Sequence, residues 1–583
     1  MRNGIMFHHH ELYLHVAIGK LLPKCVNCII NLKDYQSIMH YNTAHRNTAN
    51  FCLGVSFALI LVFILALNTF AQTKGVRVIN NSTQKTVSGE TYAIVVGISN
   101  YPGITPLKFA DKDAQMFIDF LKSPAGGNTK PENILPLING DARAADFNVK
   151  GYAWLKQKAL KEGDRLYIYF SGHGDAMNED NYFLLPYDCM PNKEDNNYLG
   201  TGNIDMHKVK TLFIKPLAAK KVEVLLIVDA CRSNDLPGGQ QGQANFSNSL
   251  QSIAESKQGE IIMLSTGAGQ VAIESSKIGM GHGLFTWYLI AGLSGDADKE
   301  GDAADHDGKV SLVEIASYVK NRVRKEAKEM FSTNQVPVFL PPDMELKTIA
   351  VVDSGTYSNW KIANAMMQQT NGNTIAMAKK KPNEKSVTDD SYADTALISL
   401  DNKFIAAIKN GDLLGDNSAE DFYNQMLKKW PGKPITEDAK YALATEFINF
   451  GQEKINLFLS GKSMVHIQRM EKELSKSGER GKKISANVAE QVDKMKALAN
   501  TDFSTAAEMM EKATKLLIDE PELLEPIYPK LYFLKGAAYD AIDNITLKRR
   551  GIAYIKKSIQ KDSTAAYNYL MLGHLLNDIN SDS

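Results

Sequence analysis

Cysteine is scarce in this chain: five residues in 583, of which Cys25, Cys28 and Cys52 fall within the first 52. A disulfide framework is therefore excluded as the source of stability, since such frameworks belong to small exported domains with little core. Cys25 and Cys28 have the CxxC spacing of half a zinc site, but no second half-site follows. Beyond them only Cys189 and Cys231 remain, enough for one disulfide at most. Charge of one sign is missing too. Lys plus Arg and Asp plus Glu number 66 each, and no basic stripe supplies the phosphate neutralisation that nucleic-acid binding requires. The run KKKPNEK from Lys379 lies in a polar, proline-containing stretch and reads as solvated linker. The glycine spacing of a phosphate cradle is also absent: VVGISNYPG, beginning at Val95, lacks it, which excludes a nucleotide-binding α/β domain.

What is present is an ordinary globular composition, 44% hydrophobic and 23% charged, over a length that calls for two to four domains. One long apolar run breaks the pattern. Phe51–Leu67, FCLGVSFALILVFILAL, is uncharged, follows Arg46 and precedes Thr69 and Ala71, small residues at minus three and minus one of a cut before Gln72. This predicts an export signal ending at Ala71, with an uncleaved membrane anchor as the competing case. The fifty residues ahead of the run are long for a signal, and Met39 makes a more conventional start. The expected location is periplasmic or secreted, with membrane attachment only if the anchor is retained. Residues 72–90 read as a short leader.

From Thr91 short apolar runs alternate with helical patterns. YAIVVGIS (Tyr92–Ser99), ILPLI (Ile134–Ile138), RLYIYF (Arg165–Phe170), VEVLLIV (Val222–Val228) and EIIMLST (Glu260–Thr266) read as strands. Helical lengths lie between them, at Lys108–Lys122, up to Leu160, and at Ile204–Ala219. Leu284–Leu293 and Leu312–Lys325 are helical, and Asn334–Phe339 adds a last strand. Strands that are apolar on both faces imply a mostly parallel sheet covered on each side, over 91–345. Ligands of such sheets sit at the carboxyl ends of the strands. Residues 346–398 read as a linker region and 399–583 as an all-helical domain. Leu531–Ile542 and Tyr567–Asp578 carry glycines 37 apart, at Gly536 and Gly573, close to a tetratricopeptide period. A repeat array and a non-repetitive helical domain both remain open.

Two residues follow the strong strands: His173 in SGHG and Cys231 in DAC. Thiol hydrolysis of an amide needs an ionised sulfur, an imidazole to protonate the leaving amine, and amide donors for the oxyanion. If the two strands are neighbours, His173 and Cys231 share one sheet edge, with the Gly174 and Cys231 amides as oxyanion donors. Alone, a cysteine after an apolar strand is more often a core residue. His282, in GHG, precedes a helical run instead of ending a strand and is set aside as the base.

YAIVVGISNY, LKFADKDA, YIYFSGHG and LLIVDACRS, in this order, resemble the caspase-type cysteine peptidases, specifically the bacterial metacaspase-like branch. The caspase cysteine signature has its histidine about fifty residues upstream; here His173 and Cys231 are 58 apart. The resemblance covers about Thr91 to Asp343 and implies a three-layer αβα sandwich and a cysteine endopeptidase acting on proteins or peptides. It further implies that Asp113, in KDA, and Asp229 line the primary pocket and favour Arg or Lys before the cut. Against this, Lys112 departs from the family's usual Asn, Asp113 could cap a helix with Asp111, and Arg232 could pair with an acid. No cofactor is required. Calcium enters as optional: Asp305, Asp307 and Glu314 have part of an EF-hand spacing, but its first position falls on Ala303. Processing sites are open among Lys257, Lys277 and Lys379–Lys381, and the helical region is expected to bind a protein partner. The competing reading is a scaffold, a caspase fold with a vestigial site joined to a helical interaction module.

Overall fold

A strand buried on both faces needs apolar side chains at every position, and the runs identified above meet that demand. The computed structural model describes residues 89–176, 182–190, 202–231, 260–267, 270–341, 347–369, 395–459, 503–540, 542 and 544–581; the expected signal segment, Arg232, Lys257 and Lys379–Lys381 lie outside them. β1 (Thr91–Gly97), β2 (Ile134–Ile138), β3 (Arg165–Ala176), β4 (Tyr182–Leu184), β5 (Ile204–Asp205), β6 (Glu223–Cys231), β7 (Glu260–Leu264) and β11 (Val338–Leu340) form one sheet. Its spine runs β11-β7-β6-β3-β1-β2, with β4 on β3 and β5 on β4. All spine pairings are parallel except β11 with β7.

Alternation along each strand divides the core in two. Ile94, Val96, Leu226 and Val228 face one side, where Phe147, Leu155 and Phe213 cover them. Ala93, Val95, Leu225 and Ile227 face the other. There they meet α1 (Ala110–Lys122), α3 (Leu284–Ala291) and α4 (Leu312–Phe331). On the first side lie a π-helical turn, Asp146–Gly151, which runs into α2 (Tyr152–Lys158), and helical turns across Met206–Ala219. This is the expected three-layer sandwich.

Two departures from the sequence reading position the site. β3 and β6 continue past Phe170 and Val228, so His173 and Cys231 lie within paired strands, not beyond them. The small residues of SGHG permit the extension: a Cβ at Gly172 would come within 2.6 Å of the Tyr101 hydroxyl and 2.8 Å of the Phe170 ring. In addition, the segment expected as linker from 346 holds β12 (Thr348–Val351) and α5 (Ser354–Gln369). β12 pairs antiparallel with β10 (Lys309–Ser311), Trp360 packs on Trp287 with ring centroids 4.6 Å apart, and Lys361 pairs with Asp296 at 2.6 Å. An aromatic anchor and a buried ion-pair partner bind this stretch to the sandwich, features that its polar surroundings conceal in the sequence.

The helical region starts at α6 (Thr395–Asn410) and continues through α7 (Ala419–Lys429), α8 (Pro434–Leu459), α9 (Phe503–Leu516), α10 (Tyr528–Ala537), α11 (Ile545–Lys561) and α12 (Ala566–Ser581). The matched glycines are not equivalent. A Cβ on Gly536 would meet Ile555 at 2.4 Å and the Gly551 carbonyl oxygen at 3.0 Å, a close crossing of α10 and α11, whereas Gly573 faces open space. α8 docks against the π-helical turn and α2. Arg143 bridges Asp146 at 3.0 Å and Glu446 at 2.9 Å, Gln157 donates to Asp438 at 2.8 Å, and Tyr152 donates to Glu522 at 2.7 Å. Lys156 and Tyr441 both bond Glu520; together they outweigh its burial and hold its carboxyl below the ordinary value.

Gly97 sets how closely α1 approaches the sheet. A Cβ there would lie 2.3 Å from the Ala114 Cβ and 2.7 Å from the Ala110 carbonyl oxygen, both on the helix that carries Asp113. Gly97→Ala must push the helix outward and is expected to lower the urea midpoint, at a cost of about 1–3 kcal/mol. An unchanged midpoint would show that the helix position is not fixed by this contact.

Candidate active site

The parallel register of β3 and β6 ends with Ser171 beside Asp229, Gly172 beside Ala230 and His173 beside Cys231. Both candidate residues therefore sit on the last rung of adjacent central strands, at the carboxyl edge where such sheets bind ligands. His173 is held through its backbone and through Nε2. Its amide donates to the Tyr101 hydroxyl at 2.9 Å, and its carbonyl accepts from the Leu185 amide at 2.9 Å. The Tyr101 hydroxyl in turn donates to the Leu185 carbonyl at 3.0 Å, and its ring lies 4.9 Å from the imidazole. Nε2 is 2.8 Å from the Thr105 carbonyl oxygen. A carbonyl only accepts, so that nitrogen carries the hydrogen and Nδ1 is the one able to exchange a proton.

The Gly174 amide follows from the same pattern. Successive backbone groups along a strand point to opposite edges, and those of His173 point to Tyr101 and Leu185. The amide of Gly174 is thereby turned toward the β6 side, where Cys231 ends its strand.

Asp113 and Asp229 are brought together by the fold. They come from α1 and β6 and flank Gly283: a Cβ there would lie 2.8 Å from Oδ2 of each. Gly283 closes a two-residue strand, β9 (His282–Gly283), paired with β8 (Glu274–Ser275). Its amide donates to Asp113 at 3.0 and 3.1 Å, and His282 Nδ1 lies 2.8 Å from Asp113 Oδ1. Asp113 thus does not cap its helix. Asp111 does local work instead, accepting from the Ser99 hydroxyl at 2.7 Å and the Asn139 amide at 3.2 Å. Lys112 lies over the Phe109 ring. Asp229 accepts from the Thr286 hydroxyl at 2.6 Å and the Thr286 amide at 3.3 Å. That hydroxyl has one hydrogen and spends it on the carboxylate, so it accepts from the buried Tyr169 phenol at 2.6 Å.

The acids enclose a cavity of about 30 Å³, lined also by Ser171, Gly172 and a third carboxylate, Glu274. It has room for a water or two, so an entering side chain must widen it. Glu274 is half-buried and accepts the Lys108 and Phe109 amides at 3.0–3.1 Å. Sequence reasoning missed Glu274 and Thr286, which no local motif marks. It set His282 aside as a base, and the structure makes it the neighbour of Asp113 instead.

Burial raises the pKa of both acids. Asp113 is raised by burial, against the opposing His282 and Gly283 contacts. Asp229 is pushed up to about 7, first by burial and then by the Asp113 charge. Burial also raises Glu274.

The acidic turn ahead of α4 takes a form the spacing did not foresee. Carboxylate oxygens of Asp298, Asp305 and Asp307 lie within 4.8 Å of one another and could hold a divalent cation. The buried Asp298, which accepts from the Gly308 amide at 3.2 Å, joins Asp305 and Asp307 in place of Ala303, the position that the EF-hand spacing singled out. Glu314 is engaged in the capping box of α4 with Ser311, and also accepts from the Asp305 amide at 3.2 Å.

The raised pKa of Asp229 has a stability signature. An unfolded carboxyl releases its proton near pH 4, while the folded one keeps it to about pH 7. Between these values the folded state binds more protons, so stability is lost as the pH rises through the window. Asp229→Asn cannot ionise. At pH 8 it is expected to melt a few degrees above the parent, with the advantage shrinking as the pH falls towards 4. A parent more stable than the variant at pH 8 would contradict a buried, protonation-favouring site.

The caspase-domain family model matches residues 90–346. A protein named a probable protease, from a Desulfuromonadales bacterium, is 26% identical over 266 residues, 42% of this chain and 31% of that protein. The chain thus spans about a third of that relative's length. Taken with the sheet order and the mostly parallel pairing, the match places residues 90–346 in the caspase-type family.

Proposed function

We propose that the chain is an exported cysteine endopeptidase of the metacaspase-like branch, cutting after Arg or Lys. The observation that carries the reading is the shared edge: His173 is paired in register with Cys231, two residues from the buried Asp229–Asp113 pair. In this mechanism His173 Nδ1 takes the Cys231 proton. The sulfur attacks the scissile carbonyl, and the Gly174 and Cys231 amides stabilise the oxyanion. The imidazolium then protonates the leaving amine, and water hydrolyses the thioester with His173 as base.

Asp113, Asp229 and Glu274 meet the basic side chain. A guanidinium or ammonium supplies the positive charge that these desolvated carboxyls lack, which favours their ionised forms and makes binding selective. An acidic side chain would add a like charge to the pocket. Calcium belongs to the proposal only as a modulator held at the Asp298 turn, and no chemical step uses it.

The test compares the parent chain with C231A, H173A and D229N on peptides carrying Arg, Lys or Asp before the cut, with and without calcium. C231A and H173A are expected to lose at least about a thousandfold in kcat/KM. D229N should lose about ten- to a hundredfold on Arg and Lys peptides, with no gain in calcium response. Turnover in C231A equal to the parent's would overturn the thiol mechanism. An unchanged preference in D229N would remove Asp229 from the pocket.

A further inference from the structure

A second cavity lies where the sandwich and the helical domain meet. This cavity measures about 320 Å³, the size of a small-molecule site. Val149 and Asp188 line it from the sandwich, and Gln452, Lys530 and Tyr567 from the helices.

Two charged groups set its chemistry. Asp188 accepts the Ala144 amide at 2.8 Å on one oxygen and forms no ion pair with any described residue. Lys530 donates to the Gln452 side chain. Burial pushes the Asp188 carboxyl up to about 6 and the Lys530 ammonium down to about 8, and each opposes the other's shift by its charge. Opposite charges therefore face one space without meeting. An apolar occupant would leave the carboxylate and the ammonium uncompensated. The other charged lining is mixed, Lys208 and Lys561 against Asp205, Glu522, Glu525 and Asp562, so neither a polyanion nor a polycation is matched.

We propose that this cavity binds a small zwitterion of amino-acid or dipeptide size, its ammonium on Asp188 and its carboxylate on Lys530. Its walls already communicate. Lys530 bonds Gln452, Gln452 donates to Asn456 at 2.8 Å, and Asn456 donates to the Asp188 carbonyl at 2.6 Å. A ligand closing the remaining gap from Lys530 to Asp188 completes a ring of contacts across two domains and tightens their docking.

The experiment titrates the full chain, carrying C231A to prevent turnover, with the dipeptide Ala-Ala, its N-acetyl form and its C-terminal amide, by calorimetry and thermal melting. Ala-Ala should bind saturably below about 10 mM and raise the melting midpoint, and each blocked form should bind at least about tenfold more weakly. Asp188→Asn and Lys530→Met should abolish binding with circular dichroism unchanged; if either fails to fold, the blocked-peptide comparison decides. No binding of Ala-Ala, equal binding of the blocked forms, or full affinity in a folded Asp188→Asn or Lys530→Met chain would overturn the proposal.

Discussion

The parallel pairing of β3 with β6 is the constraint on which the rest depends. It is a run of nine matched residue pairs from Arg165 with Glu223 to His173 with Cys231. Because side chains alternate along a strand, a slip of one residue would turn every apolar side chain of β6 to the wrong core. The two clusters, with Leu226 and Val228 on one face and Leu225 and Ile227 on the other, therefore lock the register. The position of His173 beside Cys231 is thus a consequence of core packing several residues away. Tyr101 then finishes the placement, since its one hydroxyl holds both the His173 amide and the Leu185 carbonyl.

The acid pair obeys the opposite logic. Nothing about folding asks for two carboxylates flanking the Cα of Gly283, and burial makes their ionisation unfavourable. The surroundings moderate that cost without removing it. Asp113 has the Gly283 amide and His282, and Asp229 has the hydroxyl and amide of Thr286. Carboxyls perturbed in this way cluster at functional sites.

The fold was legible because its strands are short, continuous apolar runs, and a sheet buried on both faces leaves that mark on each strand separately. His173, Cys231, Asp113 and Asp229 were legible because each stands next to such a run or within a family motif. What could not be read depended on contacts between distant segments. Glu274 reaches the pocket through amides 165 and 166 residues away, and His282 meets Asp113 across 169 residues through a strand of two residues, too short for any periodicity. Asp298 was missed for another reason. Counting back from Gly308 looks for acids only at the fixed positions of one loop, and Asp298 lies ahead of them in the chain. Trp360 was hidden because one aromatic anchor does not alter the polar average of its segment.

The docking of the helical domain changes what that domain can mean for the site. The segment after β4 is gripped from both ends: Leu185 holds the His173 carbonyl, and three residues later Asn456 holds the Asp188 carbonyl. Pro186 and the buried Cys189 leave this short stretch little freedom to absorb a shift. Any displacement of α8 relative to the sandwich is therefore applied within a few residues of the backbone that orients the imidazole. A helical module tethered only by its linker could capture partners but could not act on β3 in this way. The ion pairs of Arg143 and Lys156 make the difference, because they fix α8 and the helices behind it to the π-helical turn and α2. The helical domain is on this account part of the mechanical support of the sheet edge.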